Sequence, residues 1–461
     1  MRFDPERAAI RFACGLSPSL PAPKSAEAML ARLAGPDTMA ESFPIPGFQA
    51  ASAIALNRRD LRKARKTAKT KAEREAALAG LKESRVATRD NAAEWLGHTL
   101  LRRALTEDGF RERLAAFWTD HFTAFQLGGP LKFAQIAYAE DAIRPHVAGR
   151  FSEMLRAAAT HPLMLRFLDQ SRSAGPNSRA AKKRERIGGL NENLARELLE
   201  LHTLGVDGPY TQQDVRQLAE LLTGLSYGAK TGFQFRPGLA EPGAKTVLSV
   251  DYGGGKPRLD DIFAALDDLA RHEETARHIA RKLAVHFVSD APDEGLVSAM
   301  AARFTATDGD LAQVYAAMLD HPAAWAAGPG NVKRPMDFIG SGLRALDIAP
   351  AHMPTGRYRA MRTMFFTPLE LMGQRWGRPE GPDGWPEDDP DWITPQRLAA
   401  RLQWGMTVPF RLKKVLPDPR DFVETALGAA APEPVRFAAR AAETRAEGIG
   451  LVLAAPAFQR M

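Results

Sequence analysis

The chain has a single cysteine, Cys14, among 461 residues. That excludes an internal disulfide framework and a multi-cysteine metal site. It suits a reducing compartment and equally an exported protein without disulfides. No uninterrupted apolar run approaches the ~20 residues of a helical membrane span. From Met1 to Arg11 charges are spread through what would have to be an apolar signal core. No cleavable leader is therefore expected, and the default location is cytoplasmic, with export alongside a partner left open. The glycine-flanked serine of a nucleophile elbow, the phosphate-binding P-loop and the Rossmann glycine fingerprint are also missing. So is any internal repeat or low-complexity tract.

What is present is ordinary in bulk: 25% charged and 45% hydrophobic residues, as in soluble globular proteins. Single cores stop growing beyond about 250–300 residues, so two helical lobes or one domain with insertions are expected over 1–461. The net charge of +7 is local. Residues 57–86 hold eleven basic side chains against four carboxylates, which accounts for the whole excess. This segment is expected to be a basic helical projection. Phosphate binding is its sharper reading. The absence of interleaved aromatics favours a solvated helix instead, and a nucleic-acid partner is not expected.

Runs rich in Ala, Leu, Arg and Glu predict helices near 24–34, 57–86, 90–127, 131–148, 151–169, 190–204, 211–224, 259–290, 294–304, 309–319, 332–346, 395–405 and 433–455. Thr211 with Asp214 forms an N-terminal box, and Gly205 follows Leu204 as a stop. Residues 226–258 resist a helix, with alternating Phe233 and Phe235 and many glycines, and predict a small β-hairpin or an ordered loop. A charged loop at 170–189 contains the basic run Arg179 to Arg186, and an aromatic, Pro-rich loop spans 374–394. The fold class is all-α.

The segment from Asn191 to Gly205 carries the most chemistry. On a helical wheel Glu192, Arg196, Glu200 and Thr203 fall within about 80° of one another, flanked by Asn193 and Glu197. Leu194, Leu198, Leu199 and Leu201 take the other side, with His202 among them. One reading is a surface ladder of ion pairs at i,i+4 spacing over a core histidine whose ring nitrogens are satisfied and whose cationic form the helix C-terminus favours. The other is a pocket in which His121, His161, His202, Glu192 and Glu197 act as general acids and bases. Asp120 and His121 sit in the aromatic cluster Phe117-Trp-Thr-Asp-His-Phe122, and His161 precedes a Pro-started helix ending near Asp169. His161 is equally a helix-initiating residue. No metal is expected: a divalent ion has weak support, because Glu200 and His202 at i,i+2 cannot chelate from one helix face. Lys333 and Arg334 open another helix and can fork onto a carboxylate or phosphate. Trp385, in Pro382-Asp-Gly-Trp-Pro386, can stack on a sugar ring or fill the core. The tract Gly253-Gly-Gly-Lys256 is a turn.

The spaced blocks Arg7-Ala-Ala-Ile-Arg-Phe12, Phe117 to Phe122, Ile143-Arg-Pro-His146, His161-Pro162, Asn191 to Val215, Glu241-Pro-Gly-Ala-Lys-Thr-Val-Leu248, His286-Phe287, Val332-Lys-Arg-Pro335 and Pro382 to Pro386 occur in order along the chain. With them the sequence resembles the bacterial family called domain of unknown function 1800, nearly end to end. The resemblance implies a predominantly helical fold and no established reaction, cofactor or catalytic residue. It also implies gene neighbourhood with a sulfatase-like family, domain of unknown function 1501, which commonly carries an export signal. The family pattern places a histidine before Glu241 where this chain has Ala240, and an Asp-Asn where it has Asp169-Gln170. The leading expectation is an accessory protein that binds that sulfatase-like neighbour and assists its maturation or export. The alternative is a hydrolase or transferase with a His/carboxylate pocket around the Asn191–His202 helix.

Overall fold

Capping side chains decide where most of the long helices begin. In a computed structural model that describes residues 3–183, 189–326, 328 and 330–461, Ser25 accepts the Ala28 N–H at the start of α1 (Ala26–Ala34). Helices α2 (Phe48–Thr67) and α3 (Lys71–Leu105) form an antiparallel hairpin. At its apex the Thr70 hydroxyl accepts from the Glu73 N–H at 3.2 Å, and the Glu73 carboxylate accepts from Lys69 N and Thr70 N. Gly80 lets the two helices approach closely, since a Cβ there would stand 2.8 Å from a Leu61 methyl. The basic 57–86 segment is thus the distal half of a hairpin, with only Ala77, Leu81 and Ser84 buried along it.

The helix predicted over 90–127 is two helices. Thr106 accepts the Asp108 N–H at 2.8 Å, and Asp108 then caps α4 (Gly109–His121) through Arg111 N at 3.2 Å. Next come α5 (Phe151–Thr160), then α6 (Asn193–Glu197) running on as a π-helical turn Leu198–His202, and α7 (Gln212–Leu221). The predicted box at Thr211 is present, with both reciprocal hydrogen bonds formed. The region that resists a helix folds as two separate two-stranded antiparallel sheets, β1 (Leu225–Gly228) with β2 (Gly232–Phe235), and β3 (Ala244–Val247) with β4 (Val250–Gly253). Leu248 and Ser249 make the β3–β4 turn with φ of 49° and 66°, a left-handed pair that usually needs Asn or Gly. Asp214 holds the turn by accepting the Leu248 N–H at 2.8 Å.

The run 259–290 is also broken. The His272 Nδ1 accepts the Glu274 N–H at 3.1 Å, which ends α8 (Leu259–Arg271) and starts α9 (Glu273–Phe287). The remaining long helices are α10 (Glu294–Ala306), α11 (Leu311–Asp320), α12 (Pro335–Ala345), α13 (Pro395–Leu412), α14 (Pro419–Leu427), α15 (Glu433–Ala441) and α16 (Arg445–Ala454). Helical turns at Tyr358–Met361 and Thr367–Leu371, and α14 itself, are additional to the predicted set. The charged loop contains a short helix at Arg179–Lys183. Residues 184–188 of its basic run lie outside the described residues.

The fold is all-α apart from the two small sheets, and one contiguous apolar cluster runs from Ala8 to Phe458. At its centre α4 is covered on nearly all sides, so its charged residues are buried with its aromatics. Trp118 donates to the Tyr315 hydroxyl at 2.7 Å, which donates to the Val147 carbonyl at 3.0 Å. Replacing Asp214 with alanine removes half of the α7 box and the anchor of the β3–β4 turn together. It should lower the unfolding free energy by about 1–2 kcal/mol, read as a shift of the urea midpoint without a change in slope.

Candidate functional site

Burying α4 forces its charged side chains to find partners, because an isolated charge in the interior is prohibitively unfavourable. Asp120 meets Arg334, which stands just ahead of α12, at 2.7 Å, and also accepts the Trp385 N–H at 2.9 Å. The other arm of Arg334 reaches Glu387 at 2.8 Å. Glu387 in turn accepts from His286 of α9, whose Nδ1 lies 3.0 Å from the carboxylate. The His286 Nε2 faces an Arg113 guanidinium nitrogen at 3.3 Å. Arginine can only donate, so Nε2 is the acceptor and the ring proton sits on Nδ1, toward Glu387. Asp337 pairs with Arg103 and lies 3.6 Å from Arg113. Two further pairs complete the array. Arg102 grips Glu140 with both arms, at 2.7 and 3.1 Å, and Arg144 bridges Glu112 and Asp37.

The charges balance. Arg102, Arg103, Arg113, Arg144, Arg334 and the buried Lys282 stand against Asp37, Glu112, Asp120, Glu140, Asp337 and Glu387. Burial would raise Glu387, but the Arg334 charge and the hydrogen bond from His286 outweigh it and hold the carboxyl at about 2. Burial likewise works against ionised Asp337, yet Arg113 and Arg103 hold it below the usual carboxylate range. Burial lowers His286 despite Glu387, which agrees with the neutral tautomer.

This array walls a pocket of about 140 Å³. Arg102, Arg103, Arg144 and Arg334 line it with Glu112, Asp120, Glu140 and Asp337. Thr119, Gln135 and Gln374 add neutral hydrogen-bonding groups, and Trp376 and Trp385 add flat apolar faces. Gln374 is itself fixed, its side-chain oxygen accepting the Met336 N–H at 2.8 Å.

The residues singled out from sequence do not form one site. Asp120, Arg334 and Trp385 come together at the pocket. Lys333, adjacent in sequence, turns away: its ammonium donates to the Phe458 carbonyl at 2.7 Å, so it does not fork with Arg334 onto a carboxylate, and burial lowers it to about 7. Glu192, Arg196 and Glu200 form the surface ladder, at 3.7 and 3.0 Å, closed by Gln212, with the Arg196 side chain 41% exposed. Asn193 is exposed, while the Asn191 side chain accepts the Asn193 N–H and starts the helix. His161 caps the helix at Pro162–Phe167 through Leu163 N at 3.1 Å and packs on Phe48 and Tyr138, apart from the other candidate histidines. Asp169 is a left-handed residue, φ 53°, beside Arg172.

His121 and His202 do meet, with ring centroids 6.0 Å apart, and His278, which the sequence reading passed over, joins them 6.3 Å from His121. His121 Nε2 lies 3.2 Å from the His202 carbonyl, and His278 Nε2 3.2 Å from that of Leu201. Two imidazoles thus satisfy the last carbonyls of the Asn191–His202 helix. The expectation of a satisfied, cation-favouring His202 is corrected. Among the described residues its Nδ1 has no partner, as is true of His121 Nδ1, and burial with the Lys282 charge lowers its pKa to about 3. Desolvation outweighs the helix C-terminus here. Glu197 goes the opposite way, raised to about 7 by burial and by Glu200 and Asp383. Ala240, at the position of the implied histidine, lines a separate cavity of about 20 Å³ with Lys245, Arg258 and Asp261. Among the described residues no three His, Cys, Asp or Glu side chains are placed to hold a metal ion.

Sequence reasoning missed Glu387, His286, Arg113, Arg102, Arg103, Arg144, Glu112, Glu140 and Lys282 as site residues. No local signal marked them: on α4, Phe110, Leu114, Phe117 and Trp118 share one face while Glu112, Arg113 and Asp120 lie on the other, the pattern of an ordinary amphipathic helix, and only packing covers that second face.

The histidines set a pH dependence. His202 and His278 are held to about 3 and about 4, and His121 lies well below its ordinary 6.5. Below pH 6.5 the unfolded chain takes up protons that these folded imidazoles refuse, so stability falls as pH falls. Glu197 opposes this: from 4.5 to about 7 it keeps a proton when folded that it loses when unfolded, so its contribution falls as pH rises. Three groups against one give a net gain of stability from pH 4.5 to 6.5. The unfolding temperature measured across that range should rise, His202→Gln should flatten the rise, and Glu197→Gln should steepen it.

No curated protein and no solved structure matches the chain. Residues 7–460 match the family described as "Protein of unknown function (DUF1800)", and the chain belongs to that family.

Proposed function

We propose that this protein recognises a small polar ligand in the pocket beside Trp385. The observation that carries the reading is the wall of four guanidinium groups, each paired with a carboxylate, around a concave space closed by tryptophans. Paired charges present fixed donors and acceptors with little net charge. Such a wall suits a ligand bearing both kinds of group, a polyol or a zwitterion, held by hydrogen bonds with a flat face against indole. Proton transfer is less well served. Each wall carboxylate is held against a guanidinium, and both nitrogens of His286 are engaged. The hydrolase reading around the Asn191–His202 helix is also less well served: its Glu192–Arg196–Glu200 ladder is paired within itself at the partly exposed surface, His161 caps a different helix, and His121 is held by the His202 carbonyl.

Ala116 lines the pocket, so Ala116→Phe should fill it. A panel of polyols, amino acids and small zwitterions, screened by thermal shift, should contain a compound that stabilises the native protein and not this variant. A panel with no such compound, or a hit that persists in Ala116→Phe, counts against the pocket.

One observation favours a protein partner as a second reading. Leu402, Met406 and Phe410 follow each other at four-residue spacing along α13 and are all exposed, and Met406 lies over Gly450 of α16 beside exposed Leu451. Such a stripe suits docking of another apolar surface, and the sulfatase-like protein of the domain of unknown function 1501 family is the partner to try. Binding of that purified protein should fall at least about tenfold with Phe410→Asp, a charge placed in a buried interface. Absence of binding by the unsubstituted chain removes this reading.

A further inference from the structure

The arginines inside the pocket are committed to carboxylates; a second set of cations just outside it is not. Arg58 on α2, Arg89 on α3, Lys132 after the turn Gly129–Leu131 and Arg378 two residues beyond Trp376 come from four separate parts of the chain. A continuous set of rings links two of them, Arg89 and Lys132. Arg89 lies 5.8 Å from the Tyr358 ring centre and the Lys132 ammonium 4.5 Å from that of Phe133. Tyr358, Phe366, Trp376 and Phe133 follow one another at centroid separations of 5.9, 5.6 and 5.8 Å. Trp376 and Gly377 also line the pocket, so these cations stand at its rim.

Two features set this group apart from the exposed lysines at the hairpin apex. The Nε atoms of both Arg58 and Arg378 are buried with no acceptor among the described residues. A desolvated N–H without a partner is costly, and native structures rarely leave one unexplained. The cations also act on one another. Burial and the charges of Arg89, Arg378 and Arg58 lower Lys132, while burial and the charges of Arg62 and Arg85 lower Arg58. Among the described residues none of these six forms an ion pair. Like charges held together in this way become favourable once an anion fills the space between them.

We propose that Arg58, Arg89, Lys132 and Arg378, with Arg62 and Arg85 beside Arg58, form a binding site for a phosphate- or sulfate-type oxyanion at the rim of the pocket. Guanidinium groups match the edges of such an anion with paired N–H donors, and Lys132 supplies a point charge. The aromatic faces position Arg89 and Lys132 without neutralising them. The site stands on its own cations and does not depend on what fills the pocket.

The test is titration calorimetry of the full chain with inorganic phosphate and with sulfate at fixed low ionic strength, with chloride as competitor. A second arm uses phosphatidylcholine vesicles with and without phosphatidylglycerol. Saturable binding of either free ion, resistant to chloride, is expected. Arg58→Gln and Arg378→Gln should each weaken it about tenfold or more, while Lys69→Gln at the hairpin apex leaves it unchanged. Binding confined to the phosphatidylglycerol vesicles, with the same sensitivity to the variants, supports the site and assigns the oxyanion to a lipid headgroup. Three results overturn it: no binding in either arm, displacement by equimolar chloride, or binding unaltered in Arg58→Gln and Arg378→Gln chains whose far-ultraviolet spectrum is native.

Discussion

The rest of the structure depends on the neutralisation of charge around α4. Asp120, Glu112 and Arg113 leave water with the helix that carries them, and each must be met by an opposite charge from elsewhere in the chain. Arg334 and Asp337 come from the start of α12, His286 from α9, Glu387 from the loop after Trp385, and Arg103 from α3. The network therefore fixes the mutual placement of segments hundreds of residues apart. Its direct contribution to stability is modest, because desolvation offsets most of the attraction, but removing one partner typically costs about 3–5 kcal/mol. Such an array enforces one arrangement more than it deepens the energy minimum.

A second device recurs beside it. Buried donors from one segment finish the helix ends of another. Arg344 donates to the carbonyls of Arg103, Ala104 and Thr106 at the end of α3. Arg111 does the same for Arg32, Leu33 and Gly35 after α1, and His121 and His278 do so for the Asn191–His202 helix. Helix C-termini carry unsatisfied carbonyls and partial negative charge, so a donor there solves a hydrogen-bonding problem and an electrostatic one together. Arg111, Arg344, His121 and His278 are structural for that reason.

The pocket and its rim differ in how their charge is used. Inside, guanidinium groups face carboxylates and the wall is close to neutral. Outside, Arg89 and Lys132 lie against rings, and among the described residues neither they nor Arg58 and Arg378 have anionic partners. That gradient gives the mouth an attractive field for anions while the interior offers oriented hydrogen bonds, two properties that one set of charges could not supply together.

The amino-acid sequence by itself determined the helical class, the cap at Thr211, the stop at Gly205 and the hairpin-forming region, because each rests on residues within a few positions of one another. It also identified the Glu192–Arg196–Glu200 stripe, since i,i+4 spacing fixes a helix face. The wheel alone could not decide which side faces water, nor that burial would strip His202 of its charge. The breaks at Thr106–Asp108 and His272 escaped because apolar periodicity runs on across a short capped turn. Asp120, Arg334 and Trp385 stood out as polar or aromatic residues in unusual settings. Their partners Glu387, His286 and Arg113 look unremarkable along the chain, and only tertiary packing brought them together. Local propensities are written in neighbouring residues, whereas a buried charge acquires its meaning from whatever the fold places opposite it.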